Sequence, residues 1–290
     1  MTQIINSLSE ISDRYVAMFV DLWGCVHDGV KAFSAANEAL CQYRSTGGKV
    51  ILVTNSPKPG NDIERQMTTL GVSIDAWDSI ASSGDSARDA MFQGIVGENV
   101  YFIGEPRDLP FFEPPKLLNR PKPIQRVALK DAEGIVCIGP FDPKADPEEM
   151  RPTFQMAKEK GLKLLCANPD IVVDRGDSRE WCAGALAQLY ANMGGESLYF
   201  GKPHPPIYDL ARRCLVGIGG NISSDHILAI GDGIQTDISG AFNQGIDSLF
   251  ISGGLAKKET KTTYKPDPTA LNDFLLSQKQ APRFTIGYLQ

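Results

Sequence analysis

Hydrophobic residues in this chain arrive in short unbroken bursts rather than alternating with polar ones. Val16 to Val20, Val50 to Val53, His226 to Ile230 and Ser248 to Ile251 are the clearest. A strand with one wet face alternates, whereas a strand covered on both faces does not. The bursts therefore predict a parallel sheet sandwiched between helices. Helical patterning fills the gaps between them. Ala35 to Tyr43 is one such stretch, with Ser34 as candidate N-cap and Gly47-Gly48 as the stop, and Asp62 to Leu70 is another. Ser7-Leu8-Ser9-Glu10 has the form of a capping box and predicts a short helix ahead of the first strand. Polar residues follow the bursts at once, at Asp21, Thr54 and Gly231-Asp232. Open α/β sheets place their ligand sites at that carboxyl edge.

The middle of the chain reads differently. Pro-rich stretches near 105–123 and 140–153 separate three further strand candidates, Val100 to Ile103, Ile135 to Ile138 and Leu162 to Leu165. The predicted fold class is α/β, with a doubly wound parallel-sheet core from residues 1–96 and 197–290. A separate α/β domain is expected as an insertion over residues 97–196.

Composition narrows the functional classes. A chain of 290 residues that is 42% hydrophobic can bury a sizeable core without disulfide or metal staples. Its net charge of −6, from 29 basic and 35 acidic side chains, gives it no reason to seek nucleic acid or an anionic membrane. Lys257 to Lys265 carries Glu259 and reads as a solvated loop. The six cysteines form no Cys-x-x-Cys pair, and several lie inside apolar runs. They read as reduced, buried, small hydrophobes. The three histidines show no zinc spacing. No apolar run approaches the ~18 residues of a membrane span, and no basic segment followed by an apolar one opens the chain. A cytoplasmic protein that binds neither nucleic acid nor membrane is expected. Gly217-Ile218-Gly219-Gly220 lacks a full dinucleotide fingerprint and precedes a strand.

Four motifs carry chemistry. Val20-Asp21-Leu22-Trp23-Gly24 puts a carboxylate at a strand end, where it can coordinate a cation and attack phosphorus. Val53-Thr54-Asn55-Ser56 offers a hydroxyl and an amide to phosphate oxygens. Phe200-Gly201-Lys202-Pro203 fixes a cation on a short loop. Gly231-Asp232-Gly233-Ile234-Gln235-Thr236-Asp237 sends two carboxylates out of one tight turn. A helix N-cap at Asp232 with a first-turn acid after it would explain either carboxylate but poorly explains both.

Taken in this order, the motifs resemble the haloacid-dehalogenase-like hydrolases. The insertion between the second and third motifs resembles a type C2 cap. Ala167-Asn168-Pro169-Asp170, Ala183 to Ala187 and Gly201-Lys202-Pro203-His204-Pro205 look like the NagD-like, or class IIA, subgroup. The resemblance runs from about residue 16 to residue 252. It implies a Mg²⁺-dependent phosphatase acting on a small phosphorylated metabolite, such as a sugar phosphate, through an aspartyl-phosphate. It implies Asp21 as nucleophile, Mg²⁺ on Asp21, the Trp23 backbone carbonyl and Asp232, and Asp237 bracing the metal shell. Thr54, Asn55 and Lys202 would hold the phosphoryl group, with Asn168 and Asp170 near the substrate in the cap. Caps of this subgroup often pair, which makes a homodimer the expectation by analogy.

One position departs from the pattern. The family's first motif is normally Asp-x-Asp, and its second Asp protonates the leaving oxygen and then activates water. Here that position is Trp23, whose indole N–H is a donor only. His27 and Asp28 are the nearby candidates for a substitute. The departure opens two alternatives. One is a phosphometabolite-binding protein with impaired catalysis. The other is a metal-independent 2-haloacid dehalogenase, whose motif reads Asp-x-Tyr but which lacks the Gly-Asp-x-x-x-Thr-Asp turn.

Overall fold

The structure, a computed structural model, describes residues 2–114, 120–175 and 178–290. In chain order its elements are β1 (Gln3–Ile4), β2 (Ala17–Val20), α1 (Ser34–Ser45), β3 (Lys49–Thr54), α2 (Gly60–Leu70), β4 (Ser79–Ser82), α3 (Ser83–Phe92) and β5 (Asn99–Ile103). There follow β6 (Gln125–Arg126), β7 (Gly134–Cys137), α4 (Arg151–Glu159), β8 (Lys163–Cys166), β9 (Val172–Arg175), β10 (Ser178–Trp181), α5 (Ala183–Asn192) and β11 (Glu196–Tyr199). The chain ends with α6 (Pro205–Gly217), β12 (Ile227–Gly231), α7 (Ser239–Asn243), β13 (Asp247–Ile251), α8 (Pro268–Gln278) and β14 (Phe284–Ile286).

Contacts divide the chain into two compact units. One comprises residues 1–54, 61–81 and 208–290, and the other residues 55–60 and 82–207. The expected insertion, 97–196, lies inside the second unit, which also takes in α3 and the Lys202 loop.

The first unit is built on a seven-stranded sheet of order β1-β14-β13-β12-β2-β3-β4. Its strands pair in parallel from β1 through to β3. The apolar bursts explain the layering. Met18, Val20, Leu228, Ile230, Leu249 and Ile251 pack on one face with Leu40 of α1 and Met67 of α2. On the other face, Phe250 packs with Leu271 and Leu275 of α8. Neighbouring residues of one strand thus enter different cores, which is why no polar residue interrupts the run.

The second unit repeats that logic on a parallel five-stranded sheet of order β11-β8-β7-β5-β6. Ile135, Cys137, Leu164 and Cys166 face α4 and α5. Val136 and Leu165 face Ala87 and Met91 of α3. The strands β9 and β10 form a separate antiparallel pair.

The capping box at Ser7 and Glu10 is present, on a single 3₁₀ turn at Leu8–Glu10. Helix α1 corrects the sequence reading at its start. Phe33, not Ser34, holds the N-cap position, and Ser34 is the first helical residue. Phe33 N–H is pinned to Val26 O at 2.8 Å while its carbonyl accepts Asn37 N–H at 3.0 Å. Backbone pairing therefore sets the boundary before a hydroxyl can. None of the six cysteines is joined in a disulfide. No helix among the described residues is long and apolar enough to cross a membrane.

Candidate active site

Asp21 is the first residue past β2. Its N–H still donates to Ile230 O at 2.9 Å, so the ladder to β12 fixes its backbone. The chain then curls on itself. Val26, His27 and Cys25 N–H groups converge on Leu22 O at 2.8, 3.2 and 3.3 Å. Gly24 makes the curl possible, because its φ of +77° lies in the region that side chains disfavour. A Cβ there would also collide with Asp232 Oδ2.

Asp232 comes from the end of the neighbouring strand, β12, and is 5% exposed. It does not serve as a helix N-cap. Gly233 holds that position, no side chain caps it, and a π-helical turn over Ile234–Ile238 follows. Asp232 Oδ2 instead accepts the Leu255 N–H at 3.0 Å. A Cβ at Gly254 would collide with the same oxygen. The carboxylate is therefore gripped between two glycine backbones and oriented by one amide. Asp237, buried in the same turn, accepts Gly233 N–H at 3.0 Å and so braces the loop that carries Asp232. Asp21, Asp232 and Cys25 each present one ligand atom, and the three atoms lie within 4.8 Å of one another.

Trp23 is 41% exposed. Its indole meets the His27 ring edge-on at 5.6 Å and lies over Gly29. His27 is 2% exposed, and its Nδ1 accepts Gly29 N–H at 3.0 Å. Desolvation pushes its pKa down to about 4, against the pull of the Asp28 charge. Asp28 Oδ1 accepts the Val30 and Lys31 N–H groups at 2.9 and 2.8 Å. Those backbone bonds, Lys31's the larger, hold its carboxyl below the usual range. Near neutral pH neither residue carries an acidic proton, and both are tied into the turn.

The remaining predicted residues divide between the units. Thr54 closes β3 of the first unit and is buried. In the second unit, Asn55 and Lys202 are buried side by side. Lys202 N–H donates to Asn55 Oδ1 at 2.7 Å, and Asn55 Nδ2 donates to Lys202 O at 3.2 Å. Nδ2 also donates to Asp170 Oδ1 at 2.8 Å. An amide has two N–H donors, and both have acceptors here. The Asn55 side chain is a clip between loops, and any contact it makes to phosphate must come from its backbone N–H. Asn168 Oδ1 accepts the Asp170 N–H at 3.0 Å and shapes that loop.

Two features escaped the sequence reading. Cys25, a small hydrophobe by its place in the sequence, belongs to the Asp21–Asp232 cluster as well as to the core. The solvated loop expected over Lys257 to Lys265 holds for its charged residues but not for its buried threonines. Thr260 and Thr262 are buried, bonded to each other at 2.7 Å and to Ser252 O and Oγ at 3.1 and 2.9 Å. Leu255, just ahead of this loop, is the residue whose N–H meets Asp232. The available signal was Ser252-Gly253-Gly254, small residues directly after a strand at the sheet's carboxyl edge.

Comparison with known proteins bears on this arrangement. Residues 18–113 match the haloacid dehalogenase-like hydrolase family model, and residues 199–276 match a HAD-hydrolase-like model. A crystal structure of a haloacid dehalogenase-like family hydrolase from Brucella suis is 37% identical, with a TM-score of 0.83. The match covers 99% of this chain and 100% of that one. The chain belongs to the haloacid dehalogenase-like hydrolases. Among curated relatives of the family, an acid sugar phosphatase of Staphylococcus saprophyticus is 23% identical over 88% of this chain and 93% of its own. A chloroplastic phosphoglycolate phosphatase of Arabidopsis thaliana is 26% identical over 94% and 80%.

Proposed function

We propose that this haloacid dehalogenase-like hydrolase is a Mg²⁺-dependent phosphatase of the NagD-like subgroup, acting on a small phosphorylated metabolite. The observation that carries the reading is the buried convergence of Asp21 and Asp232 from adjacent parallel strands, with glycine backbones pressed against one of the two carboxylates. The donor set fits the ion. The two carboxylates, with the Trp23 carbonyl that the resemblance adds to them, would supply the hard oxygens that Mg²⁺ prefers. Bound there, Mg²⁺ would neutralise charge on the phosphoryl oxygens and on the attacking carboxylate.

The chain's own residues do the rest. An Asp21 oxygen attacks phosphorus as the bond to the leaving oxygen breaks, giving an aspartyl-phosphate. Thr54, in the same unit as Asp21, would hold phosphoryl oxygens, and Lys202 is the cation to which the resemblance gives the balancing of their charge. Water then attacks the phosphorus and releases phosphate and free Asp21. Trp23 cannot protonate the leaving oxygen or activate that water, so both protons exchange with solvent. Substrates with good leaving groups, aryl or acyl phosphates, are favoured for that reason.

The position of Trp23, with His27 and Asp28 committed to the turn, supports a second reading: a phosphometabolite-binding protein with little turnover. A screen of phosphorylated metabolites with Mg²⁺ separates the two. A phosphatase releases phosphate from some of them, and Asp21→Asn lowers that rate by roughly 10⁴-fold or more. Saturable binding without phosphate release supports the second reading. Chloride release from a 2-haloacid without added metal contradicts both.

A further inference from the structure

We propose that Cys25 makes the metal pocket a mixed oxygen–sulfur site, which soft divalent cations such as Cd²⁺ and Zn²⁺ enter in competition with Mg²⁺. The inference rests on the reading of Asp21 and Asp232 as metal ligands. Its own observation is positional. The Cys25 Sγ and one oxygen from each carboxylate lie within 4.8 Å of one another. No other group of His, Cys, Asp or Glu side chains among the described residues converges in this way.

Cys25 is also held where it stands. It is 1% exposed, its N–H donates to Leu22 O, and it packs in the core of the first unit with Leu22 and Val26. In a tetrahedral site the ligand atoms of one Zn²⁺ stand roughly 3.5 Å apart, from Zn–O near 2.1 Å and Zn–S near 2.3 Å. Three atoms within 4.8 Å of one another are near enough for side-chain rotation to close them onto one ion. Mg²⁺ gains little from sulfur, whereas thiolate selects Zn²⁺ and other soft ions over hard ones. The same three side chains therefore offer Mg²⁺ two useful atoms and Cd²⁺ three. On binding, the S–H bond breaks as the S–Cd bond forms, and the proton passes to solvent with no change of oxidation state.

The test titrates the full chain with Cd²⁺ alone and follows the thiolate-to-cadmium charge-transfer absorption in the ultraviolet. Mg²⁺ binding is measured separately by calorimetry. The expected result is a band that saturates at about one Cd²⁺ per chain and is displaced by excess Mg²⁺. Cys25→Ser should abolish the band and weaken Cd²⁺ by about 10–100-fold. Replacing the less buried Cys41 and Cys214 with Ser should leave it in place. A native chain without the band, or a band that survives Cys25→Ser, overturns the proposal. If circular dichroism shows that Cys25→Ser does not fold, displacement in the native chain decides, and a band that Mg²⁺ cannot remove overturns it. A native chain that binds Mg²⁺ yet shows no displaceable band refutes the role of Cys25 alone. Failure to bind Mg²⁺ at all refutes the underlying metal site.

Discussion

Two loops leave adjacent strands of the same sheet, and they have been treated differently. The loop after β12 carries Asp232 and Asp237, each buried and bonded to a backbone N–H. The loop after β2 carries Asp21, which is buried as well. Two residues on, where the family places its second carboxylate, it presents a half-exposed indole. On the proposed reading, the site would keep the groups that hold metal without a group at this position that moves protons. The two tasks have different physical requirements. Metal binding needs oxygens fixed in space, whereas proton transfer needs a titratable group within reach of the leaving atom.

The largest expected effect breaks this contrast directly. Trp23→Asp should raise the hydrolysis of alkyl phosphates by a sizeable part of the 10²–10⁴-fold that general acid–base catalysis typically supplies. The native rate should fall steeply as leaving-group pKa rises, and the variant's rate should fall less. Steady-state rates over a graded ester series measure both. Fast native hydrolysis of alkyl esters with no such dependence refutes the role given to Trp23.

A second test attacks the other loop. Gly254→Ala would drive a methyl group into Asp232 Oδ2. Mg²⁺ affinity should drop by about 10–100-fold, the usual consequence of disturbing what orients a metal ligand. Calorimetric titration with Mg²⁺ reads this without any substrate. Affinity equal to that of the native chain would show that the grip on Asp232 is incidental.

Much of this was legible in the sequence, for a physical reason. Unbroken apolar runs such as Val50 to Val53 report burial on two faces, and a polar residue directly after a run reports the sheet edge. Burial and edge position together lead to Asp21, Thr54 and Asp232. What stayed hidden depends on long-range approach. Nothing local to Thr260 says that its hydroxyl will meet Ser252, and nothing local to Leu255 says that its amide will reach a carboxylate 23 residues earlier. Asn55 reads as a phosphate ligand until partners 115 and 147 residues away are seen to occupy its amide.

That hidden loop gives a third, smaller prediction. Thr260→Val removes a buried hydroxyl and leaves its partners short of one bond, at a cost of about 1–3 kcal/mol. Chemical denaturation should show the lower midpoint. An unchanged midpoint would mean that water replaces the hydroxyl.

A fourth prediction, whose effect vanishes near neutral pH, concerns the turn beneath Trp23. His27 titrates near 6.5 when unfolded and about 4 when folded, because burial disfavours its charged form. The unfolded chain therefore binds more protons between those values, and stability rises with pH across that window. The contribution is complete above about pH 6.5 and is lost as pH falls through about 4. His27→Gln should flatten this part of a plot of unfolding free energy against pH. A slope identical to that of the native chain would place the proton uptake elsewhere.

The Asn55 clip also constrains how the chain is made. Two of its three bonds join a residue near the start of the second unit to a loop that emerges 147 residues later, and the third reaches Asp170, 115 residues on. At ordinary rates of synthesis that interval is on the order of 10 s. Until Asp170 has been made neither acceptor of the amide exists, and the loop closed by these bonds is long enough to make their formation slow. The clip around Asn55 can therefore be completed only after Lys202 has left the exit tunnel.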